Sequence, residues 1–168
     1  MKIRLGGLLI LMLHANTTLA DEHFYMGMGL AGLAVESDNF VAGGASYNVM
    51  AGYRLNEHFK TEVQFIAASD LEDEPATISP QVITASILAN HPITSNFDVF
   101  GRLGVAYWQA DITLGQSSQL DKSDTDLTFG AGFELQYSSQ ITLRQEYQYV
   151  QMADGNSQSL GFQFNYHF

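Results

Sequence analysis

Residues 160–168 (LGFQFNYHF) alternate strictly between apolar residues and small or polar ones. Successive side chains of a β-strand point to opposite faces, so a period of two predicts a strand with one apolar face. That face carries Leu160 and then four aromatic rings, whereas the other carries a glycine, two amides and a histidine. The end of the chain is therefore predicted to be a β-strand that lies between two different environments.

The same alternation recurs seven more times along the chain. The predicted strands cover residues 24–31, 45–55, 59–67, 83–91, 97–109, 127–137 and 141–149. Short connections (56–58, 92–96 and 138–140) alternate with longer, acidic ones (34–44, 69–80, 110–125 and 152–158). Eight strands joined in this way predict an all-β fold, an eight-stranded antiparallel up-and-down transmembrane β-barrel with long loops at one end.

A soluble, lipocalin-like barrel would also have alternating strands, but its apolar face would line a ligand cavity. The composition of the polar face distinguishes the two. This face consists of glycines interleaved with a few charges of both signs. The charged members are Arg54, Lys60, Glu62, Arg102, Glu134, Arg144 and Glu146. An eight-stranded barrel has an interior only wide enough for side chains to fill, and long side chains can cross it where glycines face them. The apolar face holds more large residues than such a lumen could contain, which favours a lipid-facing exterior.

Aromatic residues cluster toward both ends of the predicted strands, as in the two interfacial girdles of a membrane barrel. The girdle at the short-turn end comprises Phe24, Tyr53, Phe59, Phe97, Tyr137, Tyr166 and Phe168. The girdle toward the long loops comprises Tyr47, Phe65, Tyr107, Trp108, Tyr147 and Tyr149.

Residues 1–20 have the layout of a secretory signal peptide. Lys2 and Arg4 precede an apolar stretch at 5–13, and the sequence TLA at 18–20 offers a cleavage site. The apolar stretch is too short for a spanning helix, which needs about 20 residues. We therefore predict Sec-type export, removal of residues 1–20 and a barrel domain at 21–168.

Charge and composition exclude several classes of function. A net charge of −11 with seven lysines and arginines disfavours nucleic acid as a partner. The absence of cysteine excludes a disulfide framework, a thiolate metal site and a cysteine nucleophile. His23, His58, His91 and His167 all fall at the short-turn end, away from outer-leaflet chemistry. We therefore expect no enzyme, no cofactor and no metal site, although a histidine beside an outer-leaflet acyl pocket would revive a lipid-modifying enzyme.

The long connections carry most of the negative charge. Their predicted acidic surface loops include Asp70, Glu72, Asp73, Glu74, Asp121, Asp124 and Asp126. The last three do not have the spacing or the turn glycine of an EF-hand. Such loops would either hold divalent cations weakly or serve only to remain solvated.

Several stretches together resemble the transmembrane domain of the outer membrane protein A family. They are 52–56 (GYRLN), 92–94 (PIT), 97–111 (FDVFGRLGVAYWQAD), 133–134 (FE), 146–148 (EYQ) and the terminal strand. The resemblance implies a lumenal ion-pair network of Glu62, Arg102, Glu134 and Arg144, whose common face the alternation supports independently. It also implies that the terminal alternation of Phe164, Tyr166 and Phe168 is a signal read by the barrel assembly machinery.

Two departures from this family matter. Its longer members continue into a peptidoglycan-binding domain, whereas this sequence stops at Phe168, so anchoring to the cell wall is not expected. The family's lumenal lysine on the fourth strand has no equivalent, because Ser86 and Leu88 occupy that region. Lys60 on the third strand is a candidate substitute.

These observations predict a small barrel of the Gram-negative outer membrane with a structural and surface-interaction role, such as adhesion or recognition. Its expected partners are membrane lipid, lipopolysaccharide, the assembly machinery and a surface ligand, and the barrel is expected to be a monomer. The alternative is a narrow, porin-like gated pore for ions or small solutes, in which Glu62 exchanges between Arg144 and Arg102.

Overall fold

The computed structural model describes residues 23–37, 40–69, 71–73, 76–114, 118–152 and 155–168. These residues form nine β-strands. They are β1 (Phe24–Ser37), β2 (Phe40–Arg54), β3 (Phe59–Ala68), β4 (Leu71–Asp73), β5 (Ala76–Pro92), β6 (Phe97–Leu114), β7 (Ser118–Gln136), β8 (Ile141–Met152) and β9 (Gly155–His167). Within the described ranges, no helix has the length and hydropathy needed to span a bilayer.

The strands close into a barrel in which each strand pairs with antiparallel neighbours. The order is β3-β2-β1-β9-β8-β7-β6-β5-β4, and β3 also pairs with β5. β4 continues β3 along the same edge of β5, so the nine strands occupy eight positions around the barrel. The predicted eight-stranded antiparallel barrel is confirmed, and among the described strands closure leaves no unpaired edge at the level of the membrane.

Short turns lie at one end of the barrel, as predicted, and side chains that accept backbone hydrogen bonds stabilise them. The Oδ1 atom of Asn56 accepts bonds from the backbone N–H groups of His58 and Phe59, both at 2.9 Å. The Oγ atom of Ser138 plays the same part in the turn before β8, accepting from Ile141 at 3.1 Å. Asn and Ser favour tight turns for this reason.

The prediction of long loops at the opposite end is wrong. β1 extends to Ser37, and β2 already begins at Phe40. The β6–β7 ladder continues to the pair of Leu114 with Ser118. Glu72 and Asp73 lie in β4, and Asp121, Asp124 and Asp126 lie in β7, whereas Asp70 and Glu74 fall outside the described residues. The alternation of apolar and polar residues reflects the contrast between lipid and lumen. Where both faces of a strand meet water the alternation disappears, although the backbone pairing of the strands continues.

At this outer end the barrel wall separates into two sheets. The pairing of β7 with β8 ends at Thr128 and Val150, although β7 stays paired with β6 to Ser118. The pairing of β2 with β3 likewise ends at Ser46 and Ala68, while β2 stays paired with β1 to Phe40. The hairpins β8–β9 and β1–β2 thus form one outer sheet, and β4 to β7 form the other.

Exposure follows the predicted faces, with one exception in the aromatic girdles. Tyr107 points outward and is 47% exposed, whereas Trp108 points into the barrel and is 9% exposed. Its indole Nε1 donates to Oδ2 of Asp126 at 2.7 Å. Assigning Trp108 to the outer girdle was wrong, because an even-numbered residue of β6 lies on the same face as Arg102.

The inward position of Trp108 is testable because it is the single tryptophan of the chain. We expect brominated lipids to quench its fluorescence much less than that of a Tyr107→Trp variant made in a Trp108→Phe background, since only the latter indole would contact acyl chains. Equal quenching of the two proteins in vesicles would contradict the inward placement.

Candidate functional site

Six charged side chains meet inside the barrel, within its membrane-spanning part. They are Lys60 and Glu62 from β3, Arg102 from β6, Glu134 from β7, and Arg144 and Glu146 from β8. None is more than 6% exposed. Each reaches the lumen because it alternates with outward residues, as Lys60 and Glu62 do with Phe59, Thr61 and Val63.

Arg144 bridges two carboxylates at the centre of this network. Its Nη2 atom lies 2.6 Å from Oε1 of Glu62 and 2.6 Å from Oε1 of Glu134. Its Nη1 atom also donates to Oε2 of Glu62 at 2.9 Å, and its Nε to Oε1 of Glu134 at 2.9 Å. The planar guanidinium can bind two carboxylates in this way, whereas an ammonium group cannot.

Glu62 is held by three donors at the same time. Besides Arg144, it accepts a hydrogen bond from Nη2 of Arg102 and one from the hydroxyl of Tyr25 at 2.5 Å. Arg102 in turn lies with its Nε atom 2.5 Å from Oε1 of Glu146. The exchange of Glu62 between Arg144 and Arg102, which the gated-pore alternative requires, does not match this arrangement because both arginines bind it together.

Lys60 completes the network at the side nearer the short turns. Its Nζ lies 2.5 Å from Oε2 of Glu134, which also accepts a bond from Nδ2 of Asn90 at 3.1 Å. Three cationic and three anionic side chains are therefore enclosed together and balance one another. Charges removed from water require such pairing, since an unpaired one is strongly destabilising.

Two glycines allow large side chains to lie flat across the lumen. A Cβ added at Gly52 would come within 2.2 Å of the Tyr25 ring, and one at Gly132 within 2.9 Å of the Phe100 ring. Phe100 lies under the guanidinium of Arg144, with 4.9 Å between Cζ and the ring centroid. These contacts position the donor to Glu62 and one face of Arg144, so the glycines support the network sterically.

The structure thus brings together six of the seven charged residues that the sequence suggested. Arg54, the last residue of β2, is partly exposed at the short-turn end, and within the described part of the chain it makes no ion pair. Sequence reasoning did not assign Tyr25, Asn90 or Phe100 to the network, nor Gln64, whose Oε1 accepts a hydrogen bond from Nη1 of Arg102 at 3.3 Å. The available signal was the alternation within each strand, which places all four residues on the lumenal face.

Other predicted residues lie apart from this site. Phe164 and Tyr166 point outward, and the Phe168 ring packs against Phe24 and Tyr166 at the short-turn end. Asp124 is exposed, while Asp126 is partly buried against Trp108. His23, His58 and His91 are exposed at the short-turn end, and Nε2 of His167 lies 2.9 Å from Oγ1 of Thr142. Across the described residues, no group of three or more His, Asp or Glu is arranged to hold a metal ion.

The outer part of the lumen contains apolar side chains among polar ones, which the sequence analysis did not predict. Ile66, Ala106, Trp108 and Val150 are buried there, none more than 9% exposed. Neutral polar groups lie among them and toward the charged network, such as Gln148, whose Nε2 donates to Oγ1 of Thr128 at 3.1 Å. The charged network therefore lies nearer the short turns, and the outer lumen is lined by apolar and neutral polar side chains together with Asp126.

Removing Arg144 should be severely destabilising because two buried carboxylates would lose their shared partner. We expect Arg144→Met to lower the free energy of unfolding by about 3–5 kcal/mol, measured by urea titration in vesicles. Adding Glu134→Gln to that variant restores charge balance and should recover part of the loss. A double variant no more stable than Arg144→Met would contradict the electrostatic origin of the effect.

Comparison with known proteins agrees with this architecture. Neisserial surface protein A (NspA) has a TM-score of 0.77 at 19% identity, with 86% of this chain and 97% of that chain covered. Ail, the attachment invasion locus protein of Yersinia pestis, was solved with the heparin analogue sucrose octasulfate. It has a TM-score of 0.67 at 18% identity, with coverage of 87% and 98%. OprG from Pseudomonas aeruginosa has a TM-score of 0.64 at 15% identity, with coverage of 87% and 97%.

These identities establish a shared fold, and no curated protein sequence matches the chain. The sequence model of the outer membrane protein beta-barrel domain, however, matches residues 5–168, nearly the whole chain. Together with the closed eight-stranded barrel and its enclosed charges, this match identifies the chain as a member of the outer membrane protein beta-barrel family.

Proposed function

We propose that this protein is a plugged outer-membrane scaffold that presents an acidic surface for recognition outside the cell. The balanced network around Arg144 is the observation that carries the proposal. Its six charges form ion pairs with one another within the lumen, and Tyr25 and Phe100 occupy space beside them. A barrel of this size has little room left once such side chains fill it.

The contacts of Glu62 support a static plug more than a gate. Releasing Glu62 from either arginine would leave buried charge with fewer partners, which is unfavourable in an enclosed lumen. Farther out, the buried side chains of Ile66, Trp108 and Val150 also occupy the lumen and are a second, steric obstacle to ions. A pore would require both sets of side chains to rearrange.

Outside the membrane, the acidic character of the outer hairpins supports a recognition role. By sequence, residues 34–44, 69–80, 110–126 and 152–158 hold eleven acidic residues and one basic residue, Lys122. Ail, a relative in fold, is named for attachment and was solved with a sulfated ligand. The acidic outer end of the present chain should repel such polyanions, so we propose a cationic surface as its partner.

The same proposal covers biogenesis and membrane contacts. Residues 1–20 would direct export and be removed, and the outward aromatic residues of β9 would be read by the assembly machinery. The outward apolar side chains would then contact lipid and lipopolysaccharide. We assign no catalytic role, since the described histidines lie at the short-turn end, far from the acidic strands.

A plugged lumen predicts an electrically silent protein. We expect the purified barrel in planar bilayers to give no discrete conductance steps. Steps in the unmodified protein that change amplitude or frequency in a Glu62→Ala variant would contradict the plug and favour the gated-pore alternative.

The acidic outer end predicts a preference for cationic surfaces. We expect the barrel in nanodiscs to adsorb to polylysine-coated beads but not to heparin-coated ones, and to be released by salt because the attraction is electrostatic. Glu36→Gln and Asp124→Asn, which neutralise exposed acids near the outer end, should weaken adsorption.

Glu57→Gln serves as the matched control, since Glu57 is exposed in a turn at the opposite end of the barrel. It removes the same charge from the chain and should leave adsorption unchanged if the outer end is the binding surface. Stronger adsorption to heparin than to polylysine would overturn the choice of a cationic partner.

A further inference from the structure

Gln145 is a polar residue in the middle of the lipid-facing surface of the barrel. It lies on the outward face of β8, between Leu143 and Tyr147. Its register partners on the adjacent strands are Phe133 and Phe162. Between the two aromatic girdles, the other described outward positions carry apolar residues or glycine, apart from Thr61 on the opposite side. The sequence analysis assigned no role to Gln145.

Lipid offers no hydrogen-bond partner to this amide. Within the described part of the chain no hydrogen bond reaches the Gln145 side chain, and acyl chains carry neither donors nor acceptors. Hydrogen-bonding groups left unpaired in hydrocarbon are unfavourable. The position is also too far along the strand to reach the short-turn interface, being four residues beyond the first residue of β8, Ile141.

A local apolar depression between side chains surrounds Gln145 on the outer wall of the barrel, which is convex overall. The depression runs from β7 across β8, β9 and β1 to β2, and its lining includes Met28, Leu30, Phe133, Leu143, Phe162 and Phe164. Leu30 and Phe162 are among the most exposed apolar side chains, at 71% and 66%. This face of the barrel therefore combines a depression, exposed apolar area and one amide that has no hydrogen-bond partner among the described residues.

We propose that this face is a contact surface between two copies of the chain within the membrane, in which the Gln145 amides hydrogen-bond to each other. Every copy enters the membrane in the same orientation, so a two-fold axis between copies runs parallel to the bilayer normal. A residue on that axis meets its own counterpart at the same depth. Glutamine suits this position because its amide both donates and accepts.

The resulting association is weak and reversible, in place of the monomer expected from the sequence. Hydrogen bonds between polar side chains in membranes contribute about 0.6–2 kcal/mol, so losing the amide should weaken dimerisation about 3- to 30-fold. The two convex barrels contact each other along few strands, and the amide pair supplies the specificity.

Cysteine cross-linking tests the proposal directly because the natural chain contains no cysteine. Phe162→Cys places a thiol beside Gln145 while leaving the amide intact. Val63→Cys is the matched control. Val63 is 56% exposed and also lies four residues beyond the start of its strand, but β3 is on the opposite side of the barrel from β8.

We expect a short bismaleimide reagent to cross-link Phe162→Cys into dimers in vesicles at high lipid dilution, with much less product from Val63→Cys. Adding Gln145→Leu should reduce the Phe162→Cys product about 3- to 30-fold, while Thr61→Val should not change it. Gln145→Leu makes the lipid face more apolar, so the barrel should still fold.

Three results would overturn the proposal. The first is equal cross-linking of Phe162→Cys and Val63→Cys, which would indicate random collision. The second is a dimer yield that Gln145→Leu leaves unchanged, which would remove the amide pair. The third is cross-linking in native outer membranes to a different protein with no dimer of this chain, which would assign the surface to another occupant.

Discussion

The salt bridge of Arg144 with Glu62 and Glu134 is the interaction on which the interior of this barrel depends. It joins side chains from β3, β7 and β8, and Arg144 and Glu62 are separated by 82 positions along the chain. Once these charges are enclosed, each needs its partners. Removing one leaves the others buried without a partner, which is strongly destabilising. The network therefore links strands across the lumen that the backbone ladder connects only around the circumference.

The surrounding wall obeys a second constraint, the absence of water in the bilayer. All backbone groups must be paired there, and the closed ladder from β1 to β9 meets that requirement without a free edge. Beyond the bilayer the requirement lapses because water can satisfy unpaired groups. The barrel wall opens at that level, where β7 parts from β8 and β2 parts from β3.

Charge is distributed in accordance with these two constraints. The lumen holds opposite charges in balance, the lipid face is almost entirely apolar, and the net negative charge of the chain is concentrated at the outer hairpins. A mean hydropathy near zero, −0.03, is the average of these three populations. The exceptions carry the most functional information, namely apolar side chains inside the lumen, such as Trp108, and an amide on the lipid face at Gln145.

The sequence by itself determined the number of strands, their antiparallel succession and the face on which nearly every side chain lies. It did so because alternation in a strand records the contrast between two solvents, and that contrast is local. It also predicted six of the seven lumenal charges correctly, since their position within each strand places them inward. Strand ends beyond the membrane were not predictable in this way, because there the contrast between the two faces disappears.

Only the tertiary structure decided which charge binds which. Lys60 pairs with Glu134, and Arg102 with Glu62 and Glu146, because barrel closure and strand register bring distant strands to the same height. Tyr25 and Phe100 joined the network for the same reason, lying over glycines of neighbouring strands. Pairing across a lumen depends on register and on how far each side chain extends, and a linear pattern of alternating residues contains neither quantity.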